Sequence, residues 1–210
     1  HPSMATMFAF LFTDGLVEQA ALREAWRGIV GRTFNQITVD GDTSTNDMAI
    51  VLSSGRRAVA TEELTGALEG VAGELARAIA RDGEGATTLI AVHVRGGRDE
   101  NDAMAAARSV AGSSLVKAAV HGRDPNWGRI LSAVGQAGVV ADLGAVAIAL
   151  QGTEVYRGAP IEFDAEEVSR AMRAPDVLID VDLAAGSAEG RAWGGDLTAD
   201  YVKINALYTT

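Results

Sequence analysis

From Thr61 onward the chain places Leu64, Leu68, Val71, Leu75 and Ile79 at steps of three and four, and Gly83 then ends the pattern. That spacing follows the 3.6-residue period of an α-helix, with glycine as its stop. A long helix with one apolar stripe is not stable alone in water and needs a second layer to lie on. The flanking sequence supplies strands for that layer. The dense run at residues 7–12 reads as a buried strand, as do residues 37–39, 48–52 and the β-branched stretch 87–94.

Between and after these strands further elements alternate. Thr13 or Asp14 is placed to cap a helix over residues 16–30 with Leu16, Ala20, Trp26 and Ile29 on its buried side. Residues 96–99 read as a turn. A helix over residues 102–120 follows, carrying Met104, Val110, Leu115 and Val116. Asp124 then caps, and Pro125 starts, another. Gln151-Gly152-Thr153 separates two strand-like runs and predicts a hairpin. Asp164 and Glu167 form a capping-box pair for a helix to residue 172. Residues 177–183 and 201–205 alternate like strands. The order predicts an α/β (α+β) layered sandwich of mixed sheets with helices. The composition shift at residues 112–122 is the candidate boundary, giving domains 1–115 and 116–210.

Composition narrows the chemistry. Hydrophobic residues are 48% of 210 and charged residues 22%, enough apolar material for a packed core. The absence of cysteine excludes disulfides, thiolate metal sites and a cysteine nucleophile. With 18 basic against 28 acidic side chains, the net charge of -10 argues against nucleic-acid binding. No apolar run is long enough to cross a membrane, and the expected location is the cytoplasm. Phosphate loops are absent despite 24 glycines. None of His1, His93 and His121 has a second histidine two, three or four residues away, and His93 and His121 read as structural, so no metal is expected. Residues 40–47 open like a calcium loop, but Thr45 and Val51 occupy the positions that need Gly and Glu. Eight small polar residues between two strands exceed a turn's needs, and such a loop is placed to line a site. Residues 124–130 read as packing.

The N-terminus carries the sharpest chemical signal. If the Ala5–Thr6 bond is cut, Thr6 becomes a terminal threonine whose hydroxyl is a nucleophile and whose α-amine is the adjacent base. Such an amine titrates near ~7.7–8.0, close to working pH. Ala5 is small and leaves its carbonyl open to attack by the neighbouring hydroxyl.

Together these stretches resemble the ornithine acetyltransferase family of arginine biosynthesis, the glutamate N-acetyltransferases. The likeness is carried by residues 2–7 around the cleavage site, 37–47, 82–86, 124–130, 196–198 and 201–210. It implies an N-terminal-nucleophile-like acyltransferase fold with a smaller C-terminal α/β domain. It implies a β chain with a five-residue leader, completed by an upstream α chain, with two αβ pairs in the assembly. The implied reaction moves acetyl from N-acetylornithine to glutamate through an acetyl-threonine on Thr6, after self-cleavage between Ala5 and Thr6. Glu84, Asn205 and Thr210 are the implied substrate contacts beside Thr6. No resident cofactor is implied, although some members also take acetyl from acetyl-CoA. Ser3 stands where the family usually has Asn and Gly195 where Cys is common, the latter with little expected effect. The rival readings are an N-terminal-nucleophile aminopeptidase or amidohydrolase, and a non-catalytic fragment that requires its α chain.

Overall fold

The computed structural model describes residues 7–207. Strand β1 (Phe8–Leu16) is followed by α1 (Gln19–Arg32), a short 3-10 turn and β2 (Ile37–Thr38). Then come β3 (Met48–Ala58), α2 (Thr61–Arg81), β4 (Leu89–Gly97), α3 (Glu100–Gly112), α4 (Ser114–Gly122) and α5 (Trp127–Gln136). The described residues continue with β5 (Ala147–Leu150), β6 (Thr153–Arg157), α6 (Ala165–Ala171), β7 (Asp176–Asp182), β8 (Ala188–Gly195) and α7 (Ala199–Leu207).

Two sheets form. β1 and β3 pair in parallel, a register that the intervening helix crossover permits. The other six strands run in the order β2-β8-β4-β7-β5-β6, with parallel and antiparallel neighbours mixed. Segments before and after residue 115 both contribute strands to it. One hydrophobic cluster lies between this sheet and α3, α4 and α5, centred on Ile90, Val94, Ala107, Val110, Ile148 and Ile179. A second cluster joins Ala9 and Leu11 of β1 to α1, α2, and Leu89 and Trp193 of the larger sheet. Helices α1 and α2 therefore share a core with both sheets. The fold is the mixed α/β layered class that the element order implies.

Several local expectations are corrected. Strand β1 runs on through Thr13 to Leu16 because β3 continues beside it to Ala58, past a register shift at Thr13/Gly15. The Thr13 hydroxyl accepts from Gly15 N at 3.0 Å, inside the strand. The cap of α1 is instead Glu18, whose carboxylate accepts from Ala21 N at 2.8 Å. The run at residues 7–12 is buried on one side only. Phe8, Phe10 and Phe12 point out at 60, 49 and 73% exposure, while Ala9 and Leu11 face the core. The helix expected over residues 102–120 breaks at Ser113, whose hydroxyl caps α4. Asn126, not Asp124, caps α5; Asp124 instead accepts from the Asn126 amide at 3.0 Å and holds it.

Helix α2 forms as its periodicity requires, but its buried row is Leu64, Leu68, Ala72, Ala76 and Ala80. Val71 and Leu75 are left exposed, because small alanines let the helix approach its neighbours closely along the i, i+4 row. Residues 201–205 are helical in α7 rather than a strand. The Thr198 hydroxyl accepts from Tyr201 N at 3.1 Å and so starts the helix. None of the α7 side chains is buried, so the apolar alternation at Val202 and Ile204 does not decide its structure.

Candidate active site

Two groups of polar residues gather parts of the signature stretches 37–47, 82–86, 196–198 and 201–207, and one loop reaches both. The first surrounds the start of β1. The Asp47 carboxylate accepts from the Met7 N–H at 2.9 Å and from the Ser44 hydroxyl at 2.6 Å, both through Oδ1. Met48 N in turn donates to Met7 O at 2.9 Å, opening the β1–β3 pairing. The residue that follows Thr6 is thus held through its N–H and its carbonyl. A cavity of about 360 Å³ lies against these atoms, with Ser44, Asp47, Asn35 and Arg108 on its wall.

The second group forms where the turn after α2 meets the start of α7. Asn205 Nδ2 donates to Glu84 Oε2 at 2.9 Å and to Tyr201 O at 3.0 Å. These two implied substrate contacts are 121 residues apart in the chain and touch in space. Gly85 makes the meeting possible. Its φ is +67°, and a Cβ there would stand 2.5 Å from Tyr201 N. The Thr198 hydroxyl, which accepts from Tyr201 N, also donates to Gly85 O at 2.7 Å, so one side chain ties the turn to the helix.

Beneath this contact Asp196 is the hub. Its side chain is wholly buried and accepts from Thr87 N at 2.6 Å, the Thr87 hydroxyl at 2.7 Å, Thr88 N at 2.9 Å and His121 Nδ1 at 2.8 Å. Burial pushes its carboxyl up, but the donors from Thr87, His121 and Thr88 outweigh that and hold it below the usual carboxylate range. The neighbouring Lys117 is 4% exposed and donates from Nζ to Val39 O. Burial lowers its ammonium, opposed by the charges of Asp40 and Asp196. Gly195, next to the hub, is tightly packed. A Cβ there would come within 2.6 Å of the Ala86 methyl carbon, so a cysteine needs the 85–86 turn to shift.

Residues 40–47 join the two groups. At one end Lys117 holds Val39, and the charges of Asp40 and Asp42 reach Tyr201. At the other end Asp47 holds Met7. The Tyr201 hydroxyl is raised first by burial and then by Asp40, Glu84 and Asp42. The site is therefore anionic and suits ligands with ammonium groups.

Of the residues implied at sequence level, Glu84 and Asn205 come together; Ala5, Thr6 and Thr210 lie outside the described residues. Asp47, Asp196, His121 and Lys117 were missed as parts of the constellation. Asp47 closes the polar run directly before a strand, which is a weak signal at best; its partner depends on the parallel register of β1 and β3. The larger cavity, about 750 Å³, lies elsewhere, along the strands carrying His93, Asp180 and Glu189, and none of the signature stretches lines it. His93 there stands 3.3 Å from Asp180 and 3.2 Å from Glu189. Among the described residues no group of carboxylates and histidines is arranged to hold a metal ion.

A family model described as the ArgJ family matches residues 1–210. A relative called "Arginine biosynthesis bifunctional protein ArgJ" from Deinococcus radiodurans is 56% identical over 212 residues, covering 100% of this chain and 54% of the relative. The protein of the same name from Thermus thermophilus is 56% identical over 211 residues, with 100% and 55% coverage. The chain thus spans about half the length of the curated relatives it matches. A crystal structure of argJ from Bacillus halodurans superimposes with a TM-score of 0.92 at 41% identity, covering 96% of this chain and all of that one.

Proposed function

The chain belongs to the ArgJ family, and from that premise we propose that it is the β-chain half of an enzyme that transfers acetyl from N-acetylornithine to glutamate. Thr6 is the proposed nucleophile, freed by self-cleavage of the Ala5–Thr6 bond. Its hydroxyl attacks the acetyl carbonyl while its α-amine takes the proton and returns it to the leaving ornithine nitrogen. The acetyl group then rests on Thr6 Oγ as an ester until the glutamate amine attacks it. Water must be kept from that ester, so the open site needs a cover.

The observation that carries this reading is the Glu84–Asn205 contact at 2.9 Å. The amide of Asn205 orients the carboxylate of Glu84 and leaves its remaining lone pairs for the side-chain ammonium of ornithine. Thr210 is proposed to contribute beside them. The anionic surroundings formed by Asp40, Asp42 and Glu84 favour the same ligand. Acetyl-CoA is the proposed second acetyl donor, with no resident cofactor.

The proposed partner is the upstream α chain of the same precursor, in an assembly of two αβ pairs. It supplies the oxyanion donors and the cover. Glu84 and Asn205 lie exposed in this chain, and so does the face of β1 and β3 that carries Phe8, Phe10, Phe12, Met48 and Leu52. An apolar face of that kind marks an interface. Among the described residues no helix is long and apolar enough to cross a membrane, and the proposed location is the cytoplasm.

The test is the full precursor incubated with N-acetylornithine and glutamate. Ornithine and N-acetylglutamate should appear in equal amounts, with one acetyl group trapped on the peptide beginning at Thr6. The Thr6→Ala precursor should stay uncut and inert. Glutamate-independent release of acetate would instead support a hydrolase.

A further inference from the structure

The two substrates of this scheme carry opposite charges at the same end. N-acetylornithine ends its side chain in an ammonium group, whereas glutamate ends its own in a carboxylate. The Glu84–Asn205 contact, with the charges of Asp40 and Asp42 around Tyr201, attracts the first and repels the second. A chain of net charge -10 that takes glutamate therefore needs a cation set apart from that cluster.

The cavity of about 360 Å³ beside Met7 presents one. Among the described residues, the charged side chains on its wall are Asp47 and Arg108. Asp47 does not offer itself to a ligand. Its Oδ1 accepts from Met7 N and from the Ser44 hydroxyl, and its Oδ2 is shut off from solvent. Arg108 is half-buried, and its guanidinium has no hydrogen-bond or ion-pair partner among the described residues. A guanidinium keeps its charge at any working pH, and taking it partly out of water without an anion is unfavourable. Helix α3 prevents an escape. Its Ala107 and Ala111 are wholly buried in the core under the larger sheet, so the helix cannot roll to carry Arg108 outward. Val30 and Phe34 give the same cavity an apolar side, against which methylene groups can lie.

We propose that Arg108 selects the acceptor, its guanidinium taking the side-chain carboxylate of glutamate in this cavity. This rests on the reading of the chain as half of an acetyltransferase that uses glutamate. The planar fork of the guanidinium matches a carboxylate with two parallel hydrogen bonds. The donor's ammonium and the acceptor's carboxylate then have separate subsites, one at Glu84 and one at Arg108. Residues 40–47 border both, with Asp40 and Asp42 toward Tyr201 and Ser44 and Asp47 on the cavity wall. Each substrate is thus met by the opposite charge, and neither has to displace the other's partner.

The test uses the full-length protein, wild type and Arg108→Met, with the two halves of the reaction read apart. Ornithine release from N-acetylornithine alone reports the donor. N-acetylglutamate formation against glutamate concentration reports the acceptor. In Arg108→Met the KM for glutamate should rise about 10–100-fold, the usual worth of a hydrogen bond to a charged group. The rate at saturating glutamate and the KM for N-acetylornithine should stay near wild type, because only acceptor binding is lost. Glutamine keeps the shape of glutamate without the charge. Wild type should use it poorly, and Arg108→Met should treat the two acceptors nearly alike. Arg108→Lys keeps the charge without the fork and should fall between wild type and Arg108→Met. An unchanged glutamate KM in Arg108→Met overturns the proposal. So does a rise shared equally by glutamate, glutamine and N-acetylornithine, which marks a purely structural role, and so does an Arg108→Lys no better than Arg108→Met. Wild type that accepts glutamine as readily as glutamate also overturns it, and that comparison needs no folded variant. A wild-type protein that releases no ornithine would instead remove the reading beneath.

Discussion

At the residue scale, the site depends on carboxylates doing different work in different surroundings. Asp196 is buried and saturated with donors, and its role is to hold the ends of β4, α4 and β8 together. Its folded carboxyl lies below the ordinary value of ~3.9. The stability it contributes is therefore present above pH ~4 and is lost as pH falls through the lower folded value. Asp196→Asn turns an amide toward donors that need an acceptor and should cost about 3 kcal/mol in urea unfolding at neutral pH. The same variant should flatten the loss of stability below pH 4. Glu84 is the opposite case, exposed and held on one side only by Asn205. Glu84→Gln should raise the KM for N-acetylornithine about tenfold or more through loss of a charge-assisted contact. Unfolding midpoints should not move.

Elements decide which of these residues meet. Helix α7 buries no side chain of its own and is held by the Thr198 cap and by its close approach to Gly85. Gly85→Ala should therefore detach α7 without melting the cores. Hydrogen exchange at the amides of residues 199–207 should rise while the amides of β4 and β7 stay protected. The periodicity of α2 was legible and its helix formed, yet which stripe it buries was not. Sequence favours the large side chains, whereas the packed helix chose alanines at 72, 76 and 80 and left Val71 and Leu75 outside. Strand β1 shows the same limit, since its aromatic residues face out. Leu68→Ala, inside the core, should cost about 2–5 kcal/mol. Phe10→Asp, on the open face, should leave the melting of this chain nearly unchanged and, on the proposed pairing, abolish co-elution with the proposed α chain in gel filtration.

On the scale of the whole molecule, the chain spans about half the length of its relatives, and the proposed α chain would cover the open face of β1 and β3 and the exposed Glu84–Asn205 pair. Alone it should bind ANS, and adding the α chain should quench that signal. Sequence by itself determined most of the elements, the layered class and the family, because periodicity and long motifs are written locally, whereas the strand expected at residues 201–205 and the caps expected at Thr13 or Asp14 and at Asp124 did not form. Tertiary structure alone decided that α7 is a helix, that Asp47 grips Met7 across 40 residues, and that Glu84 touches Asn205 across 121. Those facts follow from strand register and close backbone approach, which depend on how distant segments fill one another's space and leave no periodic trace in either segment.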